Sequence, residues 1–245
     1  MELGLHVGAV EKLVNALALQ QVPGSDHAGL HRQRKRYDQQ HGDEAAELDH
    51  HEVSFMKSLA SEVLKFWFGE GAEHGKRHKR WFEKDPAFDA QVAQRFRALH
   101  GQMLGGEHRA WLDEPRTCLA RILVLDQFPR HMYRGSARAF SSDALALEAA
   151  KHLVAEGWDR ELLPVERMFA YLPYEHSESL EDQERACELC KPLEAFPETA
   201  DTHRYALAHR GIVKRFGRFP HRNVALGRKS TPDEIEFLKL PGSSF

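Results

Sequence analysis

Two short stretches of this chain place Arg and His directly after a Phe-Pro pair. The first is Asp126-Gln127-Phe128-Pro129-Arg130-His131-Met132-Tyr133-Arg134-Gly135, and the second is Phe216-Gly217-Arg218-Phe219-Pro220-His221-Arg222-Asn223. The second lies inside residues 202–232, a window with eight Lys or Arg and no Asp or Glu. Guanidinium forks match the oxygens of phosphate and carboxylate groups two at a time. Arg130, Arg134, Arg218, His221, Arg222 and Asn223 are therefore expected to form the binding set for a small anionic ligand. Proline disfavours helical backbone in the residue before it, so each Phe-Pro pair is expected to end a helix and aim the cations that follow.

Two acidic features answer these cations. Asp126 is the only acid between Arg116 and Arg138, and it follows the apolar run Ile122-Leu123-Val124-Leu125, which predicts a half-buried carboxylate in need of a partner. From Pro173 to Glu184 the chain has five acids and no Lys or Arg. Asp126, Glu175, His176 and Asp182 are the candidate catalytic residues, expected to position the arginines or to serve as acid and base. The competing expectation is a structural ion-pair network that closes the helix stack of a protein-interaction scaffold.

Other chemistries are less well served. A metal could draw on Glu175, His176, Glu178, Asp182, His209 and His221, but their spacing matches no ligand motif, and the only Glu-x-x-His, Glu47 to His50, lies in a polar tract. No metal is assigned and no cofactor is identified. Cys187 and Cys190 lack a second Cys pair and are expected, with Cys118, to be small buried side chains. Ser177 sits between His176 and Glu178, but adjacent helical residues point in different directions, so no serine nucleophile is expected.

Composition narrows the partners. The net charge of −3 lacks the basic excess of a general nucleic-acid binder. Three cysteines among 245 residues fit a reducing compartment, and no apolar run approaches the roughly 20 residues that span a bilayer. A soluble, cytoplasmic protein is expected, with a small anionic ligand or a protein as partner.

The elements that must position these residues are helices. Residues 1–55 read as a short amphipathic helix followed by a polar, His-rich linker, and residues 56–245 as the folded domain. Start signals recur at Asp85-Pro86, Glu114-Pro115, Asp143 and Thr231-Pro232-Asp233-Glu234, the last a capping box. Stop signals recur at Gly69, Gly105-Gly106, Gly157 and Gly217. Nothing reads as a strand. The expected fold is all-α, with about eight helices stacked as antiparallel hairpins.

The stretches Val63-Leu64-Lys65-Phe66-Trp67-Phe68-Gly69, Trp81-Phe82, Leu125 to Arg130, Arg134-Gly135, Ala139-Phe140, Leu172-Pro173, Glu175-His176-Ser177-Glu178, Asp182-Gln183-Glu184 and Phe216 to Asn223 carry a likeness that runs from about Glu62 to Leu240. Through them the chain resembles the bacterial domain-of-unknown-function family 924. His131 stands where the family pattern has Asn. The resemblance implies an all-helical, tetratricopeptide-like fold and brings no established activity with it.

Overall fold

Local chemistry sets the helix boundaries. Asp85 is extended, and its carboxylate accepts from the amides of Ala87 and Phe88 at 2.9 and 3.2 Å, with Pro86 at the first helical position where its missing N–H costs nothing. Thr231 and Glu234 form the expected reciprocal cap. Gly217 ends its helix at φ 69°, a left-handed conformation that a Cβ would disfavour.

A computed structural model describes residues 54–243; the expected N-terminal helix and His-rich linker fall outside the described residues. Helix α1 covers 54–68. It is followed by α2 (Pro86–Leu104), α3 (Pro115–Ile122), a π-helical turn (Leu123–Gln127) and α4 (Phe128–Met132). Then come α5 (Asp143–Ala155), α6 (Pro164–His176), α7 (Leu180–Cys190), α8 (Thr202–Phe216) and α9 (Pro232–Phe237), with 3-10 turns between several of them. The fold is all-α; no strand occurs among the described residues.

Neighbouring pairs follow chain order closely: α5 packs on α6, α6 on α7, and α7 on α8, while α2 lies against α4 and α3 against α5. The middle of the stack is α3 and its π turn, where Cys118 to Gln127 are buried on every side. Apart from Arg121, Asp126 and Gln127 this stretch is apolar all round, and such a helix must lie inside. Around it Trp67, Trp81, Phe88, Phe96, Phe128 and Phe169 form one aromatic core, with edge-on contacts such as Trp81–Phe169 at 4.8 Å. Such pairs add about 1 kcal/mol each beyond area burial. A smaller cluster of Ile212, Val213 and Phe219 ties the end of α8 to the following turn. No described helix is long and apolar enough to cross a membrane.

Candidate anion site

The site begins with a departure from the expected helix break. Phe128 keeps helical backbone (φ −61°, ψ −39°), so Phe128-Pro129 does not end the helix; α3 runs through the π turn into α4. An α-helix would bond the Leu125 carbonyl to the amide of residue 129, and Pro129 has none. Ser142 Oγ donates to that carbonyl at 2.6 Å instead, and His100 Nε2 lies 3.0 Å from the same hydroxyl. Tertiary contacts thus satisfy what proline removes, and the chain passes without a break. At the second pair Phe219 is extended (φ −91°, ψ 107°), as the sequence predicts.

The π turn aims Asp126 inward, and helix segments of this kind often mark functional sites. Asp126 is fully buried rather than half-buried. Its carboxylate meets His176 Nδ1 at 2.7 Å, Gln127 Nε2 at 2.6 Å and Arg130 Nη1 at 3.3 Å. Burial alone would raise this carboxyl, but the charge of Arg130 and the contacts with His176 and Gln127 outweigh it and hold the group well below the usual carboxylate range. Asp126 is therefore an anion that orients the His176 ring through Nδ1.

Arg130 reaches out of α4 to Asp143, at the first turn of α5, with bonds of 2.9 and 3.2 Å. Arg222, from the turn after Phe219-Pro220, reaches the same carboxylate with a single 3.3 Å contact. Asp143 is the point at which the two Phe-Pro segments meet. The Arg222 guanidinium lies 4.5 Å from the Phe219 ring and 4.7 Å from the Phe140 ring. Its Nε is buried without a hydrogen-bond partner among the described residues. Burial, then the nearby charge of Arg130, pull the Arg222 pKa down to about 10.

Imidazoles complete the cluster. The rings of His176 and His209 are 6.2 Å apart, His209 is 5.7 Å from Phe219, and Phe219 is 5.6 Å from His221. Burial followed by the charge of Arg222 lowers His221 to about 4; burial followed by His176 lowers His209 to about 3; burial followed by Arg130 lowers His176. Beneath them Glu175 is wholly buried: Cys190 Sγ donates to its Oε1 at 3.4 Å, and His209 Nδ1, which donates to the Tyr205 carbonyl at 2.9 Å, lies 3.3 Å from its Oε2. Burial is the main cause that pushes Glu175 up to about 8, the nearby Asp126 charge adding to it. Arg130, Phe140, Asp143, His176 and His221 are all part-exposed, so the cluster has an open rim.

The end of α6 that carries Glu175 and His176 is fixed by Gln183. Its amide donates to the carbonyls of Glu175, Ser177 and Tyr174 at 2.6, 2.7 and 3.4 Å, satisfying acceptors that a helix end leaves open.

The remaining candidates lie elsewhere. Arg134 forks onto Asp89 at 2.8 and 2.9 Å beside His131. Arg218 forks onto Glu234 at 2.6 and 2.8 Å, and Asn223 donates to Glu234 and Ser230. Arg228 forks onto Glu178, which also accepts from the Phe219 amide. Asp182 accepts from Ser177 Oγ and pairs with Lys151, both at 2.7 Å. Of the predicted set, the structure brings together Asp126, Arg130, Glu175, His176, His221 and Arg222. In the sequence Asp143 reads as a helix start, and Gln183 and Phe140 stand among the residues that carry the family resemblance but have no assigned role. Asp143 carried one usable signal: an acid at a helix start can face a partner as well as its own helix.

Among the described residues no three His, Cys, Asp or Glu side chains are grouped to hold a metal ion. The three cysteines are free and buried. A cleft of about 440 Å³ lies toward the other end of α6, lined by Lys57, Leu64, Lys65, Glu70, His74 and Arg116 among others. Its cations are held by Glu114, Glu70 and buried Glu166, the last taking both His74 and Arg116.

Comparison with known proteins gives a family without an activity. No curated protein matches the chain. A solved structure, the protein of unknown function ATU0120 from Agrobacterium tumefaciens, is 39% identical, with a TM-score of 0.67 over 75% of this chain and 98% of that one. The model of the family described as bacterial protein of unknown function (DUF924) matches residues 63–242, which include every residue of the cluster above. The chain belongs to the DUF924 family.

Proposed function

We propose that this protein binds a small oxyanion, a phosphate or carboxylate group, at the Arg130–Arg222 cluster, with His176 and His221 on its rim. One observation carries the reading: Arg222 is only 6% exposed, yet it holds one long contact to a carboxylate that Arg130 already grips with two bonds. A buried N–H without a partner costs about 1–3 kcal/mol, and a bound oxyanion would remove that cost at the Arg222 Nε. The two stacking rings hold the guanidinium plane in place, so the fork is ready for a ligand. Catalysis by the Asp126–His176 pair is compatible with this geometry, since a carboxylate that fixes Nδ1 leaves Nε2 as the proton acceptor.

A second reading has its own support. Arg134, Arg218 and Arg228 are each bonded by a fork to one carboxylate, as in a network that only braces the fold of an interaction scaffold.

A thermal-shift screen of phosphorylated and carboxylated small molecules, with and without divalent ions, separates the two. Ligand-induced stabilisation that is present in wild type and Arg218→Ala and absent in Arg222→Gln supports the anion site. Equal stabilisation of all three proteins, or none in any, favours the structural network.

A further inference from the structure

The anion site has no spare fixed charge. Two guanidiniums, Arg130 and Arg222, face two carboxylates, Asp126 and Asp143, so the formal charges cancel. Glu175 sits behind them as a neutral acid. A doubly charged oxyanion entering this cluster would leave two negative charges uncompensated beside buried side chains, which is costly without an added cation. The groups able to become cations there are imidazoles.

Three of them surround the place. His176, from α6, faces Asp126 of the π turn, Arg130 of α4, Asp143 of α5 and His209 of α8. His209 faces Glu175, the Tyr205 carbonyl, His176, Arg222 and His221. His221 faces Arg222, His176, Arg130 and Glu178. Burial does most to keep these rings neutral, and the arginines that would attract the anion add to it. A negative charge placed among them favours the protonated rings instead.

We propose that the site takes up a doubly charged oxyanion together with a proton, with His176 and His221 on the rim as first acceptors. The proposal rests on the anion site above and adds two things to it: preference for dianions such as phosphomonoesters over monocarboxylates, and affinity that rises as pH falls. A singly charged ligand has no such need, because Arg222 Nε and the long Arg222 contact already offer it a donor set without protonation.

Isothermal titration with inorganic sulfate tests this, since sulfate stays a dianion across the whole range used. Titrations near pH 7 in buffers of different ionisation enthalpy read protons taken up per anion. The expected value is about one, with affinity falling about tenfold for each pH unit between about pH 6 and pH 8. His176→Gln combined with His221→Gln is expected to bring the uptake close to zero and flatten the pH dependence, while Arg222→Gln removes the binding heat. Sulfate binding with the same heat in every buffer would overturn the proton coupling and leave the anion site standing. Binding that survives Arg222→Gln, or failure of both sulfate and phosphate to bind, would overturn the site and the coupling together. Uptake unchanged in the double histidine variant would overturn the assignment to His176 and His221.

Discussion

Replacing Glu175 by Gln gives a prediction whose size follows from the structure. The side chain is wholly buried; among the described residues the Cys190 thiol donates to it, His209 Nδ1 lies 3.3 Å away, and Asp126 is the charge that bears on it. Its pKa rises from 4.5 to about 8 on folding, so the fold keeps the neutral acid. Below about pH 4.5 both folded and unfolded chains hold that proton, and the group does not oppose folding. As pH rises through the window from 4.5 to about 8, the unfolded chain ionises while the folded one does not, and stability falls. The full window corresponds to about 5 kcal/mol at about 1.4 kcal/mol per pH unit. Gln has nearly the same shape and no charge to lose. Urea unfolding of both proteins at about pH 5 and pH 8 should therefore show the variant gaining roughly 3 kcal/mol on wild type between the two conditions. Comparing slopes cancels any constant packing change. Parallel stability curves for the two proteins would refute the buried, neutral Glu175 on which the charge balance of the site depends.

Two more substitutions test how the site is held. Gln183→Ala leaves the buried carbonyls at the end of α6 without their donor and is expected to cost about 2–3 kcal/mol in chemical denaturation; a loss below about 0.5 kcal/mol would mean that Gln183 does not fix this helix end. Ser142→Ala removes the hydroxyl that serves the Leu125 carbonyl and is expected to cost about 1–3 kcal/mol, with amide exchange speeding up most in the π turn; unchanged exchange there would contradict its role at Pro129.

Features set within one helix turn were legible in the sequence, and those set across the fold were not. The Thr231 capping box and the Gly217 stop need only neighbours in the chain, and both stand as read. Large aromatic side chains favour burial by their own area, and Trp67, Phe68 and Trp81 are buried, although Phe82 is 52% exposed. The passage through Phe128-Pro129 was not legible, because the hydroxyl that makes it possible comes from Ser142, seventeen residues beyond the Leu125 carbonyl it serves. The arginines were legible as cations but not in their partners. Arg218 is captured by a cap residue, Glu234, whereas Arg222 joins an acid 79 residues away. Composition of a basic window cannot separate those two fates; only the packing of α4, α5 and the turn after α8 does.

The central claim is that an oxyanion sits between Arg130 and Arg222. Crystals of the protein soaked with tungstate, a heavy analogue of phosphate, would show by anomalous scattering where an anion settles. The expected result is a peak within hydrogen-bond reach of Arg222 Nε, bordered by Arg130 and His221, that disappears in Arg222→Gln. A peak confined to the cleft lined by Lys57 and Arg116, or bound at Arg218 while the Arg130–Arg222 cluster stays unchanged, would contradict it.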